Sequence, residues 1–335
     1  MPELPEVETV RRGLNQFILH KKITHIKVIC EKSFFGAPAT GKVTELRRFG
    51  KALIIDLENG TSLMIHLRMT GQLIFDGKER YAAGHPSENF TAKLPNKQTR
   101  VILEFENGTL YFNDQRKFGF IKAIPTSEVE NDSFIKKLAK EPWVMTATEL
   151  HEKFTKHKNS LIKAAILDQT IICGLGNIYA DESLFMAKIH PERKAGTLTE
   201  AETKQLLEAA KTVMQKSIDS GGSTMATYVK ADGTKGDYLE KFAQVFRREG
   251  QPCLVCGEKI IKIRVAGRGT HLCPNCQRRP KWSKSSTAKT ASAPNKTSSN
   301  FSAQTTKSLR GATLRRPICP AFSLATRFFP TPALF

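Results

Sequence analysis

The sequence predicts an α+β fold, in which an N-terminal helix and a β-sandwich precede a helical domain, a four-cysteine finger and a disordered tail. Three observations predict this order. The apolar residues change from a helical to an alternating period after residue 18, return to a helical period after Pro142, and are followed by two C-x2-C pairs. At 335 residues the chain is long enough for two domains with separate cores. The predicted segments are 1–125, 126–245, 246–280 and 285–335.

The first segment begins with an amphipathic helix, predicted over residues 5–18. Pro5 suits the first helical position, and Glu6 and Glu8 suit the positive end of the helix dipole. One face of this helix carries apolar residues at helical spacing, namely Val7, Val10, Leu14 and Ile18.

Short strands follow the helix. Apolar residues first alternate at Ile26, Val28 and Cys30, and the turn pairs Asn59-Gly60 and Asn107-Gly108 each separate two later apolar runs, which is a strong hairpin signal. These runs lie at 51–57, 62–67, 100–106 and 109–112. Up to about residue 125 the chain therefore predicts a helix followed by a β-sandwich or barrel.

The second segment has a helical pattern. An apolar helix is expected over 161–167 and a second helix from Asn177 onward. Thr199 and Glu202 form a capping box before a third helix. The tail over 285–335 is rich in Ser, Thr, Ala, Pro and Lys without any period, so we expect it to be disordered.

The net charge of +20 points to a polyanionic partner. Seven Lys or Arg residues of this excess lie in the tail, and the remaining chain is still strongly basic. Counterion release makes nucleic acid the usual polyanion, while an anionic membrane surface or an unspecific basic tail are the alternatives. No apolar run approaches the roughly 20 residues of a membrane span. The acidic N-terminus does not resemble a secretory signal, so we expect a cytoplasmic protein.

Four of the seven cysteines form two C-x2-C pairs with 16 residues between them. This spacing suits one tetrahedral Zn²⁺, and four thiolates leave no open position, so the metal of this four-cysteine zinc finger is structural. The predicted ligands are Cys253, Cys256, Cys273 and Cys276. Four cations between the pairs suggest that the finger contacts phosphate: Lys259, Lys262, Arg264 and Arg268.

Six segments occur in a fixed order along the chain. They are Met-Pro-Glu-Leu-Pro-Glu-Val-Glu-Thr-Val-Arg-Arg at 1–12, Ile-His-Leu-Arg-Met-Thr-Gly at 65–71, Asp-Gln-Arg-Lys-Phe-Gly at 114–119, Gly-Leu-Gly-Asn-Ile-Tyr-Ala-Asp-Glu-Ser-Leu at 174–184, Gly-Gly-Ser-Thr at 221–224 and Gly-Arg-Gly-Thr-His at 267–271. In this order they resemble the formamidopyrimidine-DNA glycosylases over residues 1 to about 280. The resemblance implies a bifunctional enzyme that removes oxidised purines, such as 8-oxoguanine and formamidopyrimidines, and cleaves the abasic site by β,δ-elimination.

The resemblance implies that Pro2 is the nucleophile once Met1 is removed. A secondary amine with a pKa near 8 is partly neutral at physiological pH, can attack C1′ and forms a cationic iminium. Read without the other motifs, Pro2 would be a processing signal or a helix-entry residue.

Glu3 is expected to protonate the sugar oxygen or shuttle protons, or else to complement a helix dipole. Lys51 is implied as the general acid of β-elimination and Arg268 as the residue of δ-elimination and phosphate contact, although a lone lysine there would be interpreted as a solvated strand end.

The resemblance also implies the DNA contacts. Three side chains are expected to fill the gap left by the extruded nucleotide: Met69, Arg116 and Phe118. Asn177 would hold a phosphate or serve as a simple N-cap. His66 lies in a matched segment, and Ser223 to Tyr228 match the loop that closes over the base. Gln98 and Asn159 replace residues that are often basic in the family, so we expect fewer phosphate contacts there. The helices at 160–167 and 177–187 correspond to the family's helix–two-turn–helix.

Two other functions stay open from the sequence. The related endonuclease VIII group prefers oxidised pyrimidines but typically starts Pro-Glu-Gly-Pro, whereas this chain has Pro-Glu-Leu-Pro. A zinc-ribbon DNA-binding protein without catalysis is the other alternative. We expect a monomer that holds one structural Zn²⁺, binds double-stranded DNA with oxidised bases, has no membrane partner and associates with the nucleoid through that DNA.

Overall fold

The computed structural model describes residues 2–85, 91–223 and 238–279. The tail over 285–335 and Tyr228 lie outside these residues. Within the described ranges, no helix combines the length and the apolar character that a membrane crossing needs.

Ten strands form one continuous ladder in the N-terminal part of the chain. They are β1 (Lys22–Val28), β2 (Phe34–Phe35), β3 (Gly41–Phe49), β4 (Ala52–Leu57), β5 (Thr61–His66), β6 (Gly71–Gly77), β7 (Arg80–Gly84), β8 (Thr99–Phe105), β9 (Gly108–Asp114) and β10 (Phe120–Pro125). Their order is β2-β10-β5-β4-β3-β1-β8-β9-β6-β7, and only the β2–β10 pair is parallel. Both predicted hairpins are confirmed, because Asn59-Gly60 joins β4 to β5 and Asn107-Gly108 joins β8 to β9.

The ladder folds over on itself as a sandwich, as predicted. Buried side chains of β3, β4, β5 and β10 meet those of β1, β6, β8 and β9 in one apolar cluster. The apolar face of α1 (Leu4–Ile18) joins the same cluster through Val7, Val10, Leu14 and Ile18. Leu4, one turn before Val7, packs instead into the core of the helical part. Helix α1 therefore belongs to both halves of the molecule, and its first residues lie where they meet.

Five helices follow the sandwich in the described residues. They are α2 (Ala147–Lys156), α3 (Ile162–Leu167), α4 (Asn177–Met186), α5 (Glu200–Asp219) and α6 (Tyr238–Phe242). The predicted capping box of α5 is present, since the backbone N–H of Thr199 donates to Glu202 at 2.8 Å and that of Glu202 donates to Thr199 at 3.2 Å. The predicted helix–two-turn–helix corresponds to α3 and α4.

The four-cysteine finger is built on a hairpin of β11 (Ile261–Val265) and β12 (Arg268–Leu272). It is attached to α4 by Asp181, whose carboxylate accepts from the backbone N–H of His271 at 3.0 Å and also pairs with the fully buried ammonium of Lys163 on α3. Separating the two charges of a buried ion pair would leave each charge buried without a partner, which is strongly destabilising. The finger and the two helices are therefore held in one arrangement.

Leu14 provides a test of this architecture. It is fully buried in the sandwich core, so Leu14→Ala should lower the free energy of unfolding by about 2–5 kcal/mol, through lost apolar burial and a cavity. Denaturant unfolding monitored by circular dichroism measures this. Gln16→Ala, on the exposed side of the same helix, is the control and should stay within about 0.5 kcal/mol of the unmodified protein. Equal effects at both positions would contradict the assignment of the buried face.

Candidate active site

A cleft of about 650 Å³ lies where α1, the sandwich, α4 and the finger meet. Six of the residues predicted from the sequence line it together: Glu3, Lys51, Met69, Phe118, Asn177 and Arg268. Arg68 and Arg247 line it as well, although no role in a cleft was predicted for either from the sequence. The cleft therefore combines one carboxyl group with several cations and an apolar wall.

Glu3 is buried and its carboxylate lies at the N-terminus of α4. It accepts hydrogen bonds from the backbone N–H groups of Gly176 at 2.7 Å, Ile178 at 2.9 Å and Tyr179 at 3.4 Å. Glu3 thus complements the dipole of α4, which begins about 170 residues later in the sequence. It also directly precedes α1. A Cβ on Gly176 would lie 2.2 Å from the Glu3 carboxyl carbon, which explains the glycine at this position.

Burial raises the pKa of Glu3 to about 7, although Lys51 and the backbone N–H groups counteract the effect and Glu6 adds to it. A carboxyl group with this pKa exists in both protonation states near neutral pH. It can therefore donate a proton in one step and accept it in another, which suits general acid–base catalysis.

Lys51 is buried in the turn that precedes β4, with only 7 % of its surface exposed. Its ammonium donates to the carbonyl oxygen of Leu175 at 2.6 Å. Burial lowers the pKa of Lys51, and the carboxylate of Glu3 opposes this. The alternative of a solvated strand end is therefore wrong, because the fold removes this lysine from water and places it opposite the turn before α4.

Pro2 is buried directly before α1. The start of the helix is held at two points, since the N–H of Leu4 donates to Gly174 at 3.1 Å and the N–H of Glu3 donates to the Glu6 carboxylate at 2.8 Å. Pro2 is consequently buried in an ordered segment that directly precedes Glu3.

Glu6 is a site residue that was predicted from the sequence only to complement the helix dipole. Its carboxylate accepts from the hydroxyl of Tyr179 at 2.5 Å and from the backbone N–H of Ser223 at 2.9 Å. The same hydroxyl contacts Ser217 on α5 at 2.5 Å. Ser223, predicted to begin the loop over the base, is buried and anchored through Glu6 to the segment that carries Pro2 and Glu3. The Glu-x-x-Glu spacing at 3–6 is the only sequence signal for this arrangement.

Met69, Arg116 and Phe118, the side chains expected to fill the gap left by the extruded nucleotide, form one exposed cluster. Nη1 of Arg116 lies 3.1 Å from the sulfur of Met69, and its guanidinium carbon lies 4.8 Å from the ring centroid of Phe118. Met69 is 42 % and Phe118 54 % exposed, which is unusual for large apolar side chains. Asp114 shapes the loop beneath them by accepting from the backbone N–H groups of Arg116 at 3.1 Å and Phe118 at 2.8 Å.

Asn177 is the first residue of α4, and the N-cap is Gly176, so the interpretation of Asn177 as a simple N-cap is wrong. Its side-chain amide donates to the carbonyl of Gly269 in the finger at 3.0 Å. The amide oxygen is buried and has no hydrogen-bond partner among the described residues. Asn177 therefore links the helix terminus to the strand that carries Arg268.

Besides Arg116 and Ser223, three other predicted DNA contacts among the described residues do not line the cleft. His66 is buried at the end of β5 and accepts from the N–H of Arg68 at 3.0 Å, and burial lowers its pKa to about 3, so it is neutral. Gln98 is half-buried in the turn before β8, and Asn159 is exposed in the turn between α2 and α3. None of these three side chains is part of the cleft lining.

The four predicted metal ligands converge in the finger. Their sulfur atoms all lie within 4.8 Å of one another, with 3.9 Å between Cys253 and Cys276 and 3.5 Å between Cys256 and Cys273. A tetrahedral zinc ion at about 2.3 Å from each sulfur separates the sulfurs by about 3.8 Å, so this cluster fits the ion. Two backbone N–H groups donate to the sulfurs of Cys253 and Cys273, each at 3.4 Å, and so help to fix the positions of these two ligands.

Known families match nearly all of this architecture. The formamidopyrimidine-DNA glycosylase N-terminal domain matches residues 1–121, the H2TH domain of the same glycosylases matches 138–229, and a zinc finger found in FPG and IleRS matches 250–279.

Individual relatives agree with these matches. The chain is 41 % identical over 288 residues to a formamidopyrimidine-DNA glycosylase of Pelotomaculum thermopropionicum, which covers 83 % of this chain and 99 % of the relative. It is 39 % identical over 287 residues to one of Desulfitobacterium hafniense, covering 83 % and 100 %. The Lactococcus lactis glycosylase bound to DNA with an abasic site is similar in structure, with a TM-score of 0.71, 33 % identity and coverage of 83 % and 100 %. This chain therefore belongs to the formamidopyrimidine-DNA glycosylase family.

Proposed function

We propose that this glycosylase excises oxidised purines, chiefly 8-oxoguanine and formamidopyrimidines, from double-stranded DNA and then cleaves the abasic site by β,δ-elimination. The observation that carries the proposal is the burial of Glu3 and Lys51 on one cleft, with the buried Pro2 next to Glu3 in sequence. Solved relatives support the substrate class, since they hold DNA with carbocyclic 8-oxoguanine, with a formamidopyrimidine or with an abasic site. We place the catalytic domain at 1–125, the helical DNA-binding domain at 126–245 and the finger at 246–280, in a monomer that acts at the nucleoid.

Base excision begins with Pro2 after removal of Met1. The neutral secondary amine attacks C1′ of the damaged nucleotide, the new N–C1′ bond forms and the glycosidic C–N bond breaks. Protonated Glu3 supplies a proton to the sugar ring oxygen as the ring opens, and the base leaves with the glycosidic electron pair and the proton that the Pro2 amine loses. The product is a cationic iminium between Pro2 and C1′. Its positive charge is the electron sink for the steps that follow.

Strand cleavage uses the same iminium. Loss of a C2′ proton expels the 3′-phosphate, and a second elimination expels the 5′-phosphate, which leaves a one-nucleotide gap with phosphate at both ends. Lys51 is a suitable general acid for the first elimination because burial lowers its pKa and brings it closer to neutrality. Arg268 lines the same cleft and is assigned to the phosphate of the second elimination.

The exposed cluster of Met69, Arg116 and Phe118 fills the space that the extruded base leaves in the DNA duplex. Unstacking and unpairing one base costs a few kcal/mol, and two apolar side chains in the vacated space offset part of this cost. The guanidinium of Arg116 can donate to the orphaned cytosine. Lesion recognition and chemistry therefore use different parts of one cleft.

Four cysteines hold the zinc ion, and a closed set of four thiolates supplies structure rather than chemistry. The finger in turn carries Arg268 and the partner of Asn177. We therefore expect the metal to act on DNA binding through the position of β12.

Covalent trapping tests the nucleophile. Borohydride added during turnover should reduce the iminium and link the protein to DNA that contains 8-oxoguanine, with the cross-link in the peptide that begins at Pro2. Mass spectrometry of the digested adduct locates it. The same assay on abasic and oxidised-pyrimidine duplexes separates the proposed specificity from that of the endonuclease VIII group.

Two variants provide the control for this assay. Retaining Met1 or blocking the terminus should abolish trapping, because no secondary amine remains, whereas Lys51→Ala with a free terminus should still be trapped on an abasic site. If a blocked protein were trapped and Lys51→Ala were not, Lys51 would be the nucleophile. If no duplex gave an adduct, the protein would be a DNA binder without catalysis.

The pKa of Glu3 predicts the pH dependence of excision. Because its pKa is raised to about 7, the Glu3 carboxyl group loses its catalytic proton as the pH rises above 7, and the excision rate should fall on this side of the pH profile. The Pro2 amine becomes neutral as the pH rises through about 8, so the rate should rise on the other side of the profile. Single-turnover excision of 8-oxoguanine should therefore show a maximum between about pH 7 and 8.

Glu3→Gln should remove the falling limb and leave only the rising one, at a reduced rate. Glu45→Gln, which neutralises an exposed glutamate on β3, is the control and should keep the full profile. A falling limb that persists in Glu3→Gln would assign the acid to another group.

Removal of one zinc ligand tests the role of the finger. Cys256→Ser should lose the metal and abolish DNA binding, since zinc supplies the folding free energy of a small finger. Elemental analysis and fluorescence anisotropy with a lesion duplex measure the two effects. Cys30→Ser, outside the cluster, should keep both. Absence of zinc from the unmodified protein would refute the assignment.

A further inference from the structure

Arg247 has a backbone conformation that an arginine rarely adopts. It lies between α6 and the finger with φ of 60°, in the left-handed region that glycine occupies without cost. Strain at a non-glycine residue persists only where the surrounding structure imposes it, and it is found most often at functional sites. The position therefore holds an arginine side chain where glycine would suit the backbone better.

No contact within the described residues accounts for this side chain. Its guanidinium carbon lies 5.9 Å from the ring of Phe246, and it forms neither a hydrogen bond nor an ion pair with residues 2–85, 91–223 or 238–279. By contrast, Arg48 and Arg193 each bond to a carboxylate of the same chain. The strain at Arg247 is thus not offset by an internal ion pair.

Arg247 lines the active-site cleft and also a second cleft of about 560 Å³ between α6 and the finger. In the active-site cleft it is accompanied by Arg68 and Arg268, so three arginines line one space, in which Glu3 is the only lining carboxyl group among the described residues. The excess of positive charge in this lining favours an anionic ligand. An arginine with a free fork of N–H donors suits a phosphate, which it can bind through two parallel hydrogen bonds.

We propose that Arg247 binds a backbone phosphate of the DNA at the rim between the two clefts, in addition to the phosphate contact of Arg268. The proposal rests on the proposed function, because it takes DNA as the ligand of the cleft. A phosphate contact carries no sequence information, so Arg247 strengthens binding to damaged and undamaged DNA alike.

The salt dependence of binding provides the test. Each phosphate that a cation neutralises adds about 0.9 to the slope of log Kd against log salt concentration. Arg247→Gly should therefore raise the Kd for a duplex with a tetrahydrofuran abasic analogue about tenfold and reduce that slope by about 1. Because glycine relieves the strain, the melting temperature of the protein should not fall.

Two further variants make the outcome decisive. Arg247→Lys keeps the charge and should restore the slope while recovering only part of the affinity, since lysine lacks the planar fork. Lys188→Gly is the matched control, because Lys188 is also a cation at positive φ, 56°, but does not line the active-site cleft. It should leave Kd and slope unchanged.

An unchanged slope in Arg247→Gly, or an equal change in Lys188→Gly, would overturn the proposal. A lower melting temperature with an unchanged slope would assign Arg247 to the fold. If the unmodified protein gave no borohydride adduct with an abasic duplex at low salt, the proposed function would be refuted, whereas the salt slope tests the role of Arg247 separately.

Discussion

The carboxylate of Glu3 at the N-terminus of α4 is the contact on which the site depends. It joins residue 3 to the backbone N–H groups of Gly176 and Ile178, and so joins the segment in front of the sandwich to the helical part. The same burial that makes this contact also raises the pKa of the carboxyl group. Structure and chemistry are therefore not separable here, because a more solvated Glu3 would both release α4 and lose its proton at neutral pH.

Other features follow from that contact. Gly176 is needed because the carboxyl group approaches the backbone too closely for a Cβ. Lys51 reaches the carbonyl of Leu175 in the same turn, so an acid and an amine are held against one short stretch of backbone. Glu6 extends the arrangement to Tyr179 and Ser223. A change at any of these residues is expected to reach the others through hydrogen bonds rather than through the apolar cores.

Much of the fold could be predicted because its signals are local. The period of α1, the Asn-Gly turns, the capping box of α5 and the spacing of the cysteines each depend on a few neighbouring residues. The burial of Lys51, the second role of Glu6 and the exposure of Arg247 depend on residues that are distant in sequence. Periodicity contains no information about such neighbours. Arg247 was missed for a further reason, since a positive φ at an arginine has no signature in composition or spacing.

Helix α1 packs into two cores, with Leu4 in the helical one and Val7 in the sandwich. This double packing affects the order in which the enzyme becomes competent during synthesis. Glu3 leaves the ribosome well before the backbone groups that hold its carboxylate, which are translated more than 170 residues later. A nascent chain that has completed only the sandwich therefore contains Glu3 without the backbone N–H groups that bind its carboxylate. The first turn of α1 reaches its final packing only when the helical part has folded against it.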